Sequence, residues 1–284
     1  MAGQCARENC GWSGRRPDDG GDLLRPQSGE THSRLGGSTA FHVKRGQTAA
    51  GLPQLRQQHR LSAVSTETLS RLLELLADES APTAIAPEDA LEAHIADSLT
   101  GLALRAVREA HTLADLGSGV GFPGLALAAA LPAASVVLVE SNARRCSWLR
   151  QAVEHAELAN VSVACARAEQ WAEGLGSCDV VTVRALAPLA VVLEYAAPLL
   201  RIGGAVVAWK AAPGADEQAA AGAAARELGL STPEPHAVAP TDRAERRSLY
   251  VSTKLEPTPE RFPRRPGMAA KRPLGAAVVR REER

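Results

Sequence analysis

The segment Ala114-Asp115-Leu116-Gly117-Ser118-Gly119-Val120-Gly121-Phe122-Pro123-Gly124 joins an apolar run to a helix-like one, Leu125 to Leu131. Its alternate glycines mark a backbone that takes left-handed dihedrals or lies against a ligand, so the segment constrains the chain to a strand–turn–helix unit. Glu140 follows nineteen residues after Gly121, at the end of a second apolar run. Strand, glycine turn, helix and later carboxylate form the plan of an adenosine-cofactor site, in which the acid accepts hydrogen bonds from ribose hydroxyls. The spacing G-x-G-x-G differs from the dinucleotide fingerprint, whose third glycine falls one place later. No pyrophosphate has to be cradled, so S-adenosyl-L-methionine fits the turn better than NAD.

Strand-like and helix-like runs alternate from 111 to 254. Strands are expected at Thr112–Leu116, Val136–Glu140, Val161–Ala164, Asp179–Val183, Ala205–Lys210 and Leu249–Lys254. Helices are expected near 122–131, 142–157, 188–200 and 215–228, with Gly203-Gly204 as a C-terminal helix stop. This alternation predicts an α/β fold with a doubly wound, mostly parallel sheet. Upstream, Leu69, Leu72, Leu73 and Leu76, then Leu91, His94, Ile95 and Ser98, recur at helical spacing. The layout is therefore an N-terminal extension (1–55), a small helical subdomain (56–110), a Rossmann-like domain (111–255) and a tail (256–284).

Residues 1–50 hold nine of the 24 glycines and few aliphatics, too little apolar surface to offset ordering entropy. Phe41-His42-Val43-Lys44 can be encoded by a palindromic DNA tract. A start codon near residue 41 would leave residues 1–40 untranslated. The tail carries eight Arg and Lys against four Glu, with five prolines, and reads as extended and basic. Formal net charge is zero over 284 residues, so the whole chain carries no general polyanion signal. No run of eighteen apolar residues suggests a membrane span. The five cysteines lack C-x-x-C spacing, and Cys146, Cys165 and Cys178 are expected as incidental reduced thiols in a cytoplasmic chain.

The strand ends concentrate polar groups where an open α/β sheet binds ligands. They are Asp115 and the glycine turn, Glu140, Arg167 to Trp171, Arg184 to Pro188, and Trp209-Lys210. Together with Ala93-His94-Ile95-Ala96-Asp97-Ser98, Arg247-Ser248-Leu249-Tyr250-Val251 and the tail Thr258 to Gly267, these residues resemble the RsmG (GidB) family over roughly 60 to 275. The resemblance implies a class I methyltransferase fold with a seven-strand sheet and methylation of guanine N7 in 16S rRNA. By position it implies cofactor contacts at Gly117, Gly119, Phe122, Glu140, Ser141, Asn142, Ala168, Glu169 and Arg184. Phe122 stands where the family usually has Leu, and the Trp-Asn-Lys motif of many members is missing.

Guanine N7 has a free lone pair and no proton to lose, so no general base is required. Arg184 and Lys210 are the candidate catalytic residues, as orienters of phosphate, guanine O6 or the cofactor carboxylate. His94 and Asp97 read as a cap or structural hydrogen bond, and Arg184 has Asp179 and Glu169 as candidate structural partners. The implied partner is 16S rRNA or the assembling small subunit, met by a cytoplasmic monomer without metal. A small-molecule methyltransferase, which would have no need of a basic tail, and an RNA-binding module that has lost catalysis are the competing readings.

Overall fold

A computed structural model describes residues 50–240 and 247–276. Residues 1–49, with the Phe41–Lys44 tract, and the end of the tail lie outside the described residues. Helix α1 (Leu52–His59) begins inside the stretch expected to lack structure, because its early proline suits a first turn and Leu52 and Leu55 reach the core. Ser62 caps α2 (Ala63–Leu76) by accepting from the Ser65 amide, and its leucine stripe is buried. The helical run from Leu91 opens as a π-helix and closes as the short α3 (Asp97–Leu99). After α4 (Arg105–Arg108) the sheet begins.

The sheet strands are β1 (Thr112–Leu116), β2 (Ser135–Glu140), β3 (Val161–Cys165), β4 (Cys178–Arg184), β5 (Leu200–Lys210), β6 (Glu234–Val238) and β7 (Arg247–Thr253). Their order is β3-β2-β1-β4-β5-β7-β6, with β7 antiparallel to both neighbours. Helices α5 (Gly124–Ala130) and α6 (Ala143–His155), with the N-terminal helices, share one hydrophobic cluster; α7 (Leu189–Ala196), α8 (Ala215–Glu227) and the tail share the other. Such covering of both faces explains why the central strands are continuous apolar runs. β6 was missed because all but its last residue are exposed and it carries a proline.

Three expectations are corrected. Gly203-Gly204 does not stop a helix: α7 ends at Ala196 and both glycines lie in β5, at the register shift between Cys178 and Val180. There a Cβ on Gly204 would lie 2.8 Å from the Asp179 carbonyl oxygen, so close backbone approach is what demands glycine.

The cysteines are not all thiols. Cys146 and Cys165 form a disulfide with Cα atoms 5.8 Å apart, whereas Cys178 is free and buried. Sequence spacing hid the pair because β3 docks beside β2, setting Cys165 opposite Glu140, while Cys146 sits in the first turn of α6.

The tail, over its described residues, is docked rather than extended into solvent. Phe262 is buried, with the Arg261 and Arg264 guanidinium carbons 5.0 and 5.9 Å from its ring centroid. Arg264 makes a two-pronged pair with the buried Glu194, Arg261 pairs with Glu227, and a short helix α9 (Met268–Lys271) follows. An apolar anchor and a bidentate ion pair outweigh what the prolines alone suggested.

Candidate active site

Connections run in opposite directions from β1 and β4, so the crevice beyond their carboxyl ends is the switch point of the sheet. At the end of β1, Asp115 is fully buried. Its Oδ2 accepts from the Gly124 amide at 3.2 Å and its Oδ1 from the Thr182 hydroxyl at 2.9 Å. It therefore ties both ends of the glycine turn to β4 rather than facing a ligand. Burial raises its pKa to about 6, despite these hydrogen bonds. A carboxyl raised in this way costs stability as pH rises through the interval from its ordinary value to about 6, because the folded state holds the proton longer. Asp115→Asn removes that dependence: in urea denaturation from pH 4 to pH 7, the variant should gain about 2 kcal/mol relative to wild type. A flat difference would remove the assigned cause.

The turn itself requires its glycines. Gly117, Gly119 and Gly121 have φ of +64°, +58° and +109°. A Cβ on Gly117 would sit 2.6 Å from Leu186 Cδ1, and one on Gly121 2.2 Å from Leu125 Cδ1. Glu140, at the end of β2, is buried; its Oε2 accepts from the Gly119 amide at 3.0 Å and its Oε1 from the Asn142 amide at 2.8 Å. Each oxygen thus keeps acceptor capacity for a ribose hydroxyl. Asn142 spends its side chain capping α6, accepting from Arg144 and Arg145 amides. Gly117, Ser141, Ala168, Glu169 and Leu186 line one cleft beside this carboxylate. A glycine cradle with a buried acceptor fits the adenosine end of S-adenosylmethionine. Phe122 is elsewhere: its ring is buried and stacks on His94 at 5.1 Å between centroids. Glu169 has a second duty, since its Oε1 accepts from the tail amide of Gly267 at 2.9 Å.

Arg184, at the end of β4, is claimed by the helical segment that precedes the sheet. Its Nη1 donates to Asp97 Oδ2 at 2.9 Å and to the Ala93 carbonyl at 2.8 Å. Its Nη2 lies 3.0 Å from His94 Nδ1. Arginine only donates, so Nδ1 accepts and the Nε2 hydrogen faces Thr83 Oγ1 at 3.0 Å. Burial, and then the Arg184 charge, lower the His94 pKa to about 4, which keeps the ring neutral at pH 7. Neither structural partner expected for Arg184 takes that part; Asp179 holds the His111 and Thr112 amides and Arg201 instead. His94 and Asp97 were legible only as a helical pair, because their partner lies some ninety residues away.

Lys210 ends β5 and pairs with Glu217 at 2.8 Å. Arg184, Leu186, Trp209 and Lys210 line a second cleft of about 200 Å³ at the ends of β4 and β5. Leu186 lines both clefts and forms the wall between them; Ala185 before it has φ +54°, which turns the loop. Leu186 and Trp209 belong to strand-end motifs read from the sequence, without a role of their own there; the structure makes them cleft lining.

A seven-strand sheet in this order, with the antiparallel strand inside its edge, a glycine turn after β1 and an acid at the end of β2, defines a class I S-adenosylmethionine-dependent methyltransferase. Residues 70–243 match the family model described as GidB, rRNA small subunit methyltransferase G, and the chain belongs to that family. Ribosomal RNA small subunit methyltransferase G of Rubrobacter xylanophilus is 38% identical over 254 residues, covering 84% of this chain and 95% of that protein. The proteins of the same name from Chloroflexus aggregans and Carboxydothermus hydrogenoformans are 45% and 38% identical, covering 57% and 68% of this chain and 69% and 83% of theirs. No helix among the described residues is long and apolar enough to cross a membrane.

Proposed function

We propose that this chain methylates N7 of a guanine in 16S rRNA of the small ribosomal subunit, with S-adenosylmethionine held by Gly117, Gly119, Glu140, Ser141, Asn142, Ala168 and Glu169. The observation that carries the choice of atom is the second cleft. None of the side chains lining it can accept a proton: they are aliphatic, the Trp209 indole, and the cations of Arg184 and Lys210. An exocyclic amine or a hydroxyl would need a base there, whereas guanine N7 attacks with a lone pair it already has.

Bound S-adenosylmethionine supplies an electrophilic methyl group on a sulfonium. The chain's part is to bring N7 in line with it and exclude water. Arg184 and Lys210 donate toward the guanine O6 edge or a phosphate, and each is charge-balanced, by Asp97 and Glu217. The cleft therefore adds little net repulsion against the positive charge that grows on the base. Leu186 separates base from adenosine while leaving the reacting atoms to meet. The same reading puts the enzyme in the bacterial cytoplasm, where 16S rRNA is assembled. The docked tail no longer separates an RNA substrate from a small one, so the product decides. Chemical cleavage at N7-methylguanine in 16S rRNA, with and without the gene, should lose one position in the deletion strain; an unchanged pattern ends the N7 reading.

A further inference from the structure

A cavity of about 790 Å³ bordered by described residues is separate from both strand-end clefts and has no part in holding the cofactor. It is walled by the α1–α2 turn, the segment 100–108, the end of α5 and residues 237–239 at the end of β6. Its described lining includes two arginines, Arg60 and Arg108, and no carboxylate. Arg108 Nη1 donates to the Leu102 and Ala103 carbonyls at 2.7 and 2.9 Å, which fixes the guanidinium and leaves its Nε and Nη2 donors uncommitted. Arg60 is exposed, and no described acid pairs with either arginine. His59 Nε2 is buried there with no hydrogen-bond partner among the described residues. Leu61, Leu102 and Leu131 supply the apolar part of the wall.

One braced and one exposed cation beside an apolar floor, in a cavity sized for whole small molecules, suit a polyanion that also carries flat apolar groups. The cavity adjoins the methyl-acceptor cleft through one hydrogen bond: Thr100 lines the cavity, and its Oγ1 accepts at 3.1 Å from the indole of Trp209, which lines the acceptor cleft. We propose that this cavity binds single-stranded rRNA flanking the methylated base, with phosphates on Arg60 and Arg108 and a nucleoside over the leucines. The proposal rests on rRNA being the substrate but not on which atom is methylated.

The test is binding of full-length protein to 16S rRNA and to small-subunit particles over a salt series. Arg60→Asn keeps a residue that tolerates the left-handed conformation found there, with φ 54°, and Arg108→Gln keeps a donor for the carbonyls. Each should lower the slope of log affinity against log salt by about 1, with S-adenosylmethionine affinity unchanged. Unchanged slopes in both overturn the proposal. Ultraviolet crosslinking of the wild-type protein, immune to any folding defect, should mark peptides from 58–65 or 100–108; crosslinks confined elsewhere also overturn it. A wild-type protein that binds rRNA with these slopes yet makes no N7-methylguanine rejects only the target atom. One that binds no rRNA rejects the substrate reading and the cavity together.

Discussion

Glu140→Gln should weaken S-adenosylmethionine binding by about 100-fold in calorimetric titration while the chain stays folded. Hydrogen bonds to a charged acceptor are worth about 1.5–3 kcal/mol each, and the carboxylate has two oxygens to offer a ribose. Losing about 3 kcal/mol corresponds to roughly two decades of affinity. The variant also turns an amide NH2 toward either the Gly119 or the Asn142 N–H, each of which now donates to the carboxylate. Two donors then face one another, which disturbs the turn that cradles the adenosine. Arg145 lies 4.0 Å away and is half exposed, too distant and solvated to compensate. A change of less than threefold would show that Glu140 serves only to fix the turn.

Asp97→Ala should lower unfolding free energy by about 3 kcal/mol and cut methyl transfer at saturating cofactor and substrate by about 100-fold. Asp97 is 2% exposed and Arg184 14%, so removing the acid strands a cation whose other partners are a carbonyl and a neutral imidazole. The freed guanidinium no longer has one orientation in the acceptor cleft, a loss that falls on kcat rather than on cofactor affinity. Asp97→Asn, which keeps an acceptor, should recover part of both. Combining Asp97→Ala with Arg184→Ala should cost activity no more than the worse single change, because the two act as one unit. Additive losses would mean that Asp97 acts on catalysis by another route.

Much of this was legible in the residues. Asp115 through Gly124 with Glu140 declared a strand, a turn needing positive φ and an adenosine site, since backbone sterics and a short connection act locally. The parallel strands β1, β2, β4 and β5 showed themselves as apolar runs because both of their faces are largely buried, whereas the edge strand β3 is only half-buried. What failed was whatever depended on a partner far along the chain. Gly203-Gly204 looked like a helix stop because the Cys178 and Asp179 carbonyls that crowd Gly204 come alongside only in the sheet. The cysteine pair is 19 residues apart and meets only because β3 lies against β2. The tail looked extended until Glu194, some seventy residues earlier, took Arg264.

The sequence by itself determined the kind of sheet, the ligand class and the family, because periodicity, glycine sterics and ordered motifs are written along the chain. Only the tertiary structure decided what each polar residue does. It turned Asp115 from a candidate ligand group into a strut of the glycine turn, and moved Phe122 onto His94. It gave Arg184 to Asp97 and His94, and made Leu186 the wall between two clefts. Hydrogen bonds and ion pairs act over about 3 Å, and in a doubly wound fold residues that close in space are often separated by most of a domain.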